Sequence, residues 1–444
     1  MRYVCIKKMS SFNLAVAMLF ASSVVPVQAQ VLIGEVDPFG DLADGLGRGE
    51  DWIELVNAGE APVSLQGMRL SDDADAWDKW RLPAVTLAPD ERLLVWCSGR
   101  DVGDIHHWEC PADDQDMWRY LAPSQALSED WRTLEFDEAG WPEGQGSLGY
   151  GDGDDAVQVN ANVVFMRRSF QVANVDELIH GLLAVDYDDG YVAFINGREV
   201  ARSASMADAS VAHNTLSSGL HEAVLYTGGT PESVAFDPRE WLVEGENVLA
   251  VQVHNYGANS SDLTARPFMG LARSGPTPVP FQPLPDWWVP APSEFHTNFK
   301  LKPGEPVILS DAEGTLLDLA TLPHELRNGV SMGRAEGATD WCFYEQQTPG
   351  DVNPEACLSF IAPPPVVQPA SGPFSSTLVT ATMGTPVGLP GQDLPPMTLR
   401  YTTDGSEPTE ASPVYTGGWS PQVTTVLSIR AFGEGMVPSA TVAR

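Results

Sequence analysis

Basic residues are scarce in this chain of 444 residues: 25 Lys and Arg face 60 Asp and Glu, a formal net charge of −35. So acidic a surface repels polyanions, which excludes nucleic acid and anionic membrane faces as partners. Cysteine is equally sparse at five, and no two are spaced as the C-x₂₋₄-C pair of a zinc site. The eight histidines are scattered, with His106-His107 the single close pair. H-E-x-x-H and the P-loop are missing, and Gln145 stands where the first Gly of a G-x-S-x-G around Ser147 belongs. Helix-like periodicity is rare. Beyond the N-terminal segment no apolar run approaches the length of a membrane-spanning helix.

That N-terminal segment is itself informative. Arg2, Lys7 and Lys8 precede an apolar core over Phe12–Val25, and Val27-Gln28-Ala29 offers a small-x-small cleavage site. Residues 1–29 therefore read as a secretory signal peptide, and the mature chain is expected to start near Gln30 and to be secreted, periplasmic or held at the cell surface. Cys5 leaves with the signal. Cys97, Cys110, Cys342 and Cys357 remain, an even set that favours disulfides in an exported chain. Cys342 and Cys357 flank the turn Thr348-Pro349-Gly350 and are the preferred pair; Cys97 and Cys110 then pair together or stay reduced.

The stretch Ala184–Arg202 sets the fold class. It reads as strand, turn, strand, turn, strand, with Asp188-Asp189-Gly190 and Asn196-Gly197 as the turns. Asn-Gly between alternating apolar residues marks a type I′ hairpin, which needs φ > 0 at both central positions. Similar short runs separated by Gly, Pro, Asn and Asp fill most of the chain, so the expected class is all-β, a set of β-sandwiches.

Within this pattern, Trp52-Ile53-Glu54-Leu55, Asn57, Leu65, Gly67 and Leu70-Ser71-Asp72 occur in the order of a lamin-tail domain. Residues 31–100 resemble the first part of that immunoglobulin-like sandwich. Its second part resembles Phe295–Leu301, Ser331-Met332-Gly333-Arg334 and Thr348-Pro349-Gly350, nearly two hundred residues later. The intervening segment is similar to a galactose-binding-like jelly roll through Trp131, Phe136-Asp137, Trp141, Gly149-Tyr150-Gly151, Arg167-Arg168 and Gly245-Glu246-Asn247-Val248. Leu399–Pro408 with Ser412–Tyr415 resembles the small fibronectin-like sandwich at the C-terminus of chitobiases and β-hexosaminidases. The expected organisation is signal peptide 1–29, first lamin-tail half 30–103, insert 104–275, Pro-rich linker 276–293, second lamin-tail half 294–354, linker 355–369 and C-terminal module 370–444. Trp287-Trp288 in the first linker is expected to pack across the join of insert and host.

Candidate site residues concentrate in the insert. Tyr150, Tyr187, Tyr191, His254 and Tyr256 fall in expected loops and could stack on sugar rings. Asp152, Asp154, Asp186, Asp188 and Asp189 either form ordinary Asp-rich turns or gather oxygens for Ca²⁺. No EF-hand is present, since Val163 and Gly197 stand where the bidentate Glu would fall twelve residues on. A catalytic residue is not expected. The combined reading is an exported, non-catalytic binding or adhesion protein for a glycan or cell-surface polymer. Its alternative follows from resemblance alone: these modules resemble the front half of exported bacterial proteins in which a spore-coat-H-like (CotH) kinase domain often follows, and the chain ends about where that domain would begin.

Overall fold

Strand-length apolar runs cut by turn residues leave no long helical stripe to bury, so main-chain groups are satisfied mainly between strands. The computed structural model describes residues 30–444 apart from 152, 154, 208–210, 278–280, 292–293, 370–377, 385–386, 389–394 and 421–424. Strands dominate the described residues, and their one α-helix is the single turn Pro238–Trp241. No helix among them is long and apolar enough to cross a membrane.

The first sandwich draws on two stretches far apart in the sequence. One sheet has the strand order Phe295–His296, Arg92–Cys97, Gly49–Asn57, Val31–Ala43, Ser331–Gly333, Cys342–Tyr344. A second runs Leu316–Thr321, Pro306–Ser310, Arg69–Ser71, Trp80–Arg81. Val36, Ile53, Leu55 and Val95 join Leu70, Val307, Leu309 and Phe343 in one core. Burying each such side chain contributes roughly 1.5–3 kcal/mol, and early and late segments share that gain. The chain leaves this body at Val102 and re-enters at His296, and these two residues form an antiparallel bridge. The excursion thus begins and ends at one point, the geometry that lets a domain sit inside another.

The excursion folds as a second sandwich. Its sheets run Glu143–Gln145, Met117–Leu121, Val163–Val172, Gly245–His254, Gly190–Ile195, Arg198–Arg202, and Val157–Gln158, Leu148–Tyr150, Leu263–Arg273, Leu178–Tyr187, Ser233–Phe236. His107–Ala112 also pairs with Leu263–Arg273. Asn196 (φ 49°) and Gly197 (φ 83°) form the anticipated left-handed pair between Gly190–Ile195 and Arg198–Arg202. The turn at Asp188-Asp189 differs from its expected role. The strands on either side belong to different sheets, so it is a corner between layers and not a hairpin. Its apolar flanks, Val185 and Val192, are buried; alternation alone does not say which sheet each strand joins.

Arg167 explains part of the insert's motif. It is buried, donates to Glu138 at 2.5 Å and to the Thr133 carbonyl at 3.0 Å, and lies over the Phe136 ring. Trp287 and Trp288 stack with ring centroids 5.4 Å apart and pack against Phe268 of the insert. In the C-terminal unit Met397–Thr402, Ser428–Gly433 and Val442–Ala443 form a sheet around Leu399, Leu427 and Ile429. Ile361 and Val437 reach instead into the core of the first sandwich.

Candidate functional site

The structure separates the insert's aromatic candidates. Tyr191 and His254 lie inside strands and are buried, so they are not the exposed stacking platform expected of them. Tyr191 opposite Val253 and His254 opposite Gly190 are consecutive pairs of one ladder and point to opposite faces of the sheet, and both faces are covered. His254 Nδ1 is 2.8 Å from the Thr215 carbonyl, and burial lowers its pKa to about 4. Tyr187 is half-buried and stacks flat on His221 at 3.9 Å. The Tyr150 hydroxyl donates to the Ser260 carbonyl and accepts from Asn255, at 3.0 and 3.2 Å. Tyr256 alone of the five is broadly exposed, at 49%.

The acidic candidates part in the same way. Asp152 and Asp154 lie outside the described residues. Asp186, Asp188 and Asp189 are buried at the sheet-crossing corner. Asp186 accepts the amides of Val224 and Leu225 at 2.7 and 3.1 Å, and Asp189 those of His221 and Tyr256 at 2.9 and 2.7 Å. These carboxylates hold down two loops, and each of their oxygens already has an amide partner. Burial, then the neighbouring Asp189, raises Asp188 to about 8, so it is largely protonated at neutral pH. Cys342 and Cys357 form a disulfide with Cα atoms 5.6 Å apart, while Cys97 and Cys110 are free and buried. Burial pushes the Cys110 thiol up to about 12, so neither a thiolate nor a metal ligand is favoured there.

A second set of buried acids was not singled out in the sequence. Glu35 and Glu54 face each other across neighbouring strands. Glu35 accepts from the Ser331 hydroxyl and from the Thr348 amide and hydroxyl, and Glu54 accepts the Gly350 amide at 2.7 Å. Burial raises Glu54 to about 7, and does the same for Asp37 nearby. Their partners, Ser331 and Thr348–Gly350, lie in the late segment of the first sandwich. These acids bind the early and late segments of that sandwich to one another.

The strongest candidate site lies between the two sandwiches and the linker. A cavity of about 400 Å³ is walled by Ile179, Leu182 and Trp288, with Arg100, His180 and Glu294 at its polar side. Asp44 and His296 meet there. Arg100 pairs with Asp44, and its Nη2 is 3.0 Å from His296 Nδ1. Burial, and then the Arg100 charge, lowers His296 to about 3, leaving the imidazole neutral. His180 is lowered by the same two causes. No local motif announces this site, because Asp44, Arg100, His180 and His296 come from four separate segments. The only sequence sign is His296 within the Phe295–Leu301 run, at the point of re-entry.

A search of curated proteins finds no match. Solved structures that resemble the chain include an uncultured Clostridium β-glucuronidase (10% identity, 77% of this chain, 46% of that one, TM-score 0.26). A Bacteroides uniformis β-glucuronidase (9%, 76%, 32%, 0.25) and one from Faecalibacterium prausnitzii (11%, 77%, 47%, 0.22) are similar to the same degree. The chain thus spans less than half the length of these enzymes, and such TM-scores do not extend to a shared overall fold. Family profiles match more locally. The Lamin Tail Domain profile covers residues 25–162 and therefore runs into the second sandwich, stopping before the strands that return at Phe295. The chitobiase/beta-hexosaminidase C-terminal domain profile covers residues 369–443. The chain is a multidomain β-sandwich protein that carries a Lamin Tail Domain and a chitobiase/beta-hexosaminidase C-terminal domain.

Proposed function

We propose that this chain is an exported, non-catalytic binding protein whose ligand is a carbohydrate presented on a glycan or cell-surface polymer. The observation that carries the reading is the junction cavity. Its size suits one or two sugar rings, Leu182 and Trp288 offer apolar surface to ring faces, and Arg100 and His180 offer polar groups to hydroxyl edges. The match of residues 369–443 to a domain named for chitobiase and β-hexosaminidase supports the carbohydrate class. The signal-peptide layout of residues 1–29 supports export. Absence of catalysis is supported by the engagement of Glu35, Asp186 and Asp189, whose oxygens hold amides and hydroxyls and present no base beside an orienting partner.

The test is a glycan array probed with the mature chain, followed by calorimetric titration of any hit. Ala235 lines the cavity, and Ala235→Trp should fill it. Loss of binding with an unchanged melt supports the reading, whereas undiminished binding removes the cavity from it. Turnover of chromogenic glycosides or of ATP with Mg²⁺ by the pure mature chain would overturn the non-catalytic part.

A further inference from the structure

Three side chains from separate segments converge at the rim of the junction cavity. Asp44 follows the first strand, Glu294 follows the Pro-rich linker and His296 ends the short returning strand Phe295–His296. One donor atom of each lies within 4.8 Å of the other two. We propose that Asp44, Glu294 and His296 form a site for a divalent transition cation, Zn²⁺ above all, and that the Arg100 guanidinium fills that place when the metal is absent. The inference stands whether or not a carbohydrate enters the cavity.

The donor set selects the cation. One imidazole with two carboxylates suits Zn²⁺, and three protein ligands leave a position open toward the cavity. Ca²⁺ wants six to eight oxygens and gains little from an imidazole.

Each ligand is also held by a second contact, as metal ligands usually are. Asp44 Oδ1 accepts the amides of Leu46 and Arg48, both at 2.9 Å, which leaves Oδ2 facing inward. Glu294 Oε2 accepts the Gly45 amide at 2.7 Å and lies 3.9 Å from His296 Nε2. His296 Nδ1 is 3.1 Å from the Ser98 hydroxyl. A proton on Nδ1, donated to Ser98, would leave the Nε2 lone pair directed at the acids.

Positive charge already sits at the centre. Arg100 Nη2 pairs with Asp44 Oδ2 and lies 3.0 Å from both ring nitrogens of His296. The in-plane directions at the two ring nitrogens diverge, so one atom equidistant from both cannot lie along both axes. The guanidinium offers charge there without saturating the imidazole. Arg100 itself lines the cavity, which gives the displaced side chain somewhere to go. Arg48 and Arg239 stand close by, but Arg48 is paired with Asp237 and Glu240, and Arg239 with Asp237.

The experiment titrates chelator-stripped mature chain with ZnCl₂ alone in a calorimeter and locates the metal in crystals by anomalous scattering at the zinc edge. The expected result is one equivalent of Zn²⁺ at this triad. Glu294→Gln, at a rim position with a 42% exposed side chain, should weaken binding by roughly tenfold or more. Arg100→Gln should tighten it by about as much, since it removes a competing cation. His106 and His107 approach within 2.9 Å and are the other place zinc could settle; replacing both with Ala should change nothing. His296→Gln should abolish binding, and if that variant fails to fold, Glu294→Gln carries the test. Zinc found only at His106-His107, uptake indifferent to Glu294→Gln, or no uptake even by Arg100→Gln would each overturn the proposal.

Discussion

Both sandwiches bury carboxylates, yet the two sets act over different distances. In the first, Glu35 and Glu54 reach Ser331, Thr348 and Gly350, some three hundred residues along the chain. In the insert, Asp186 and Asp189 reach residues 221–256 and hold down loops beside their own strand. The first set closes a domain whose halves are separated by another domain; the second fixes one corner of a sandwich already continuous in sequence. Buried acids are frequent at catalytic centres. Here the partners are backbone amides and hydroxyls, joined by the Arg92 cation with its Nε 3.3 Å from Glu54, and the consequence is architectural.

The largest effect should come from breaking the long-range set. Glu35→Ala leaves the Ser331 hydroxyl and the Thr348 amide without their acceptor, while the Thr348 hydroxyl keeps Asn353, and should cost about 3 kcal/mol. Asp186→Ala strips only the Val224 and Leu225 amides, of one loop in the same domain, and should cost about 2 kcal/mol. Urea unfolding followed by tryptophan fluorescence measures both. Equal losses, or a larger loss for Asp186→Ala, would erase the distinction between the two regions.

That distinction was only half legible in the sequence. Trp52–Asn57 and Phe295–Leu301 pointed to two parts of one sandwich only through their resemblance to one lamin-tail pattern; apolar alternation marks each as strand and does not say that they share a sheet. The Asn196-Gly197 hairpin was legible because its backbone demands those residues. What the acids do was not. Asp188-Asp189 reads as a turn from either sheet's point of view, and only the pairing of its flanks with Leu263–Arg273 and Gly245–His254 makes it a corner. Burial of Tyr191 and His254 was hidden for the same reason: a strand covered on both faces loses the alternation that marks an outward side chain. The junction site was beyond reach, since Asp44, Arg100 and His296 meet only once the host segments on either side of the insert pair with one another.

A pH series should sharpen the comparison with a smaller effect. Burial raises Asp37 and Glu54 to about 7 and Asp51 to about 6 in the first sandwich, against Asp188 at about 8 in the insert. A carboxyl whose folded pKa exceeds its unfolded value binds more protons when folded. Its stabilising contribution is complete below the unfolded value, near 4, and is lost as pH rises through the folded one. Unfolding free energy should therefore fall between pH 5 and pH 8. Glu54→Gln should flatten the part of the fall around pH 7, and Asp188→Asn the part nearer pH 8. A curve that rises over this interval would mean that these groups stay ionised in the folded protein.

The smallest expected effect concerns calcium, and it separates the two meanings of an Asp-rich turn. Ca²⁺ needs several oxygens free to converge on one point, while Asp186 and Asp189 already hold four backbone amides between them. Admitting the ion would mean giving up those amides or sharing their oxygens, and Asp188 would first have to lose a proton that burial keeps on it up to about pH 8. Linkage then predicts little stabilisation, because a ligand well below its dissociation constant adds almost nothing to folding. Thermal melts of chelator-stripped chain at pH 7, with and without millimolar CaCl₂, should superimpose. A clear upward shift that disappears in Asp188→Asn would show that the corner opens to the cation, and that the insert's acids resemble a binding site more than the first sandwich's do.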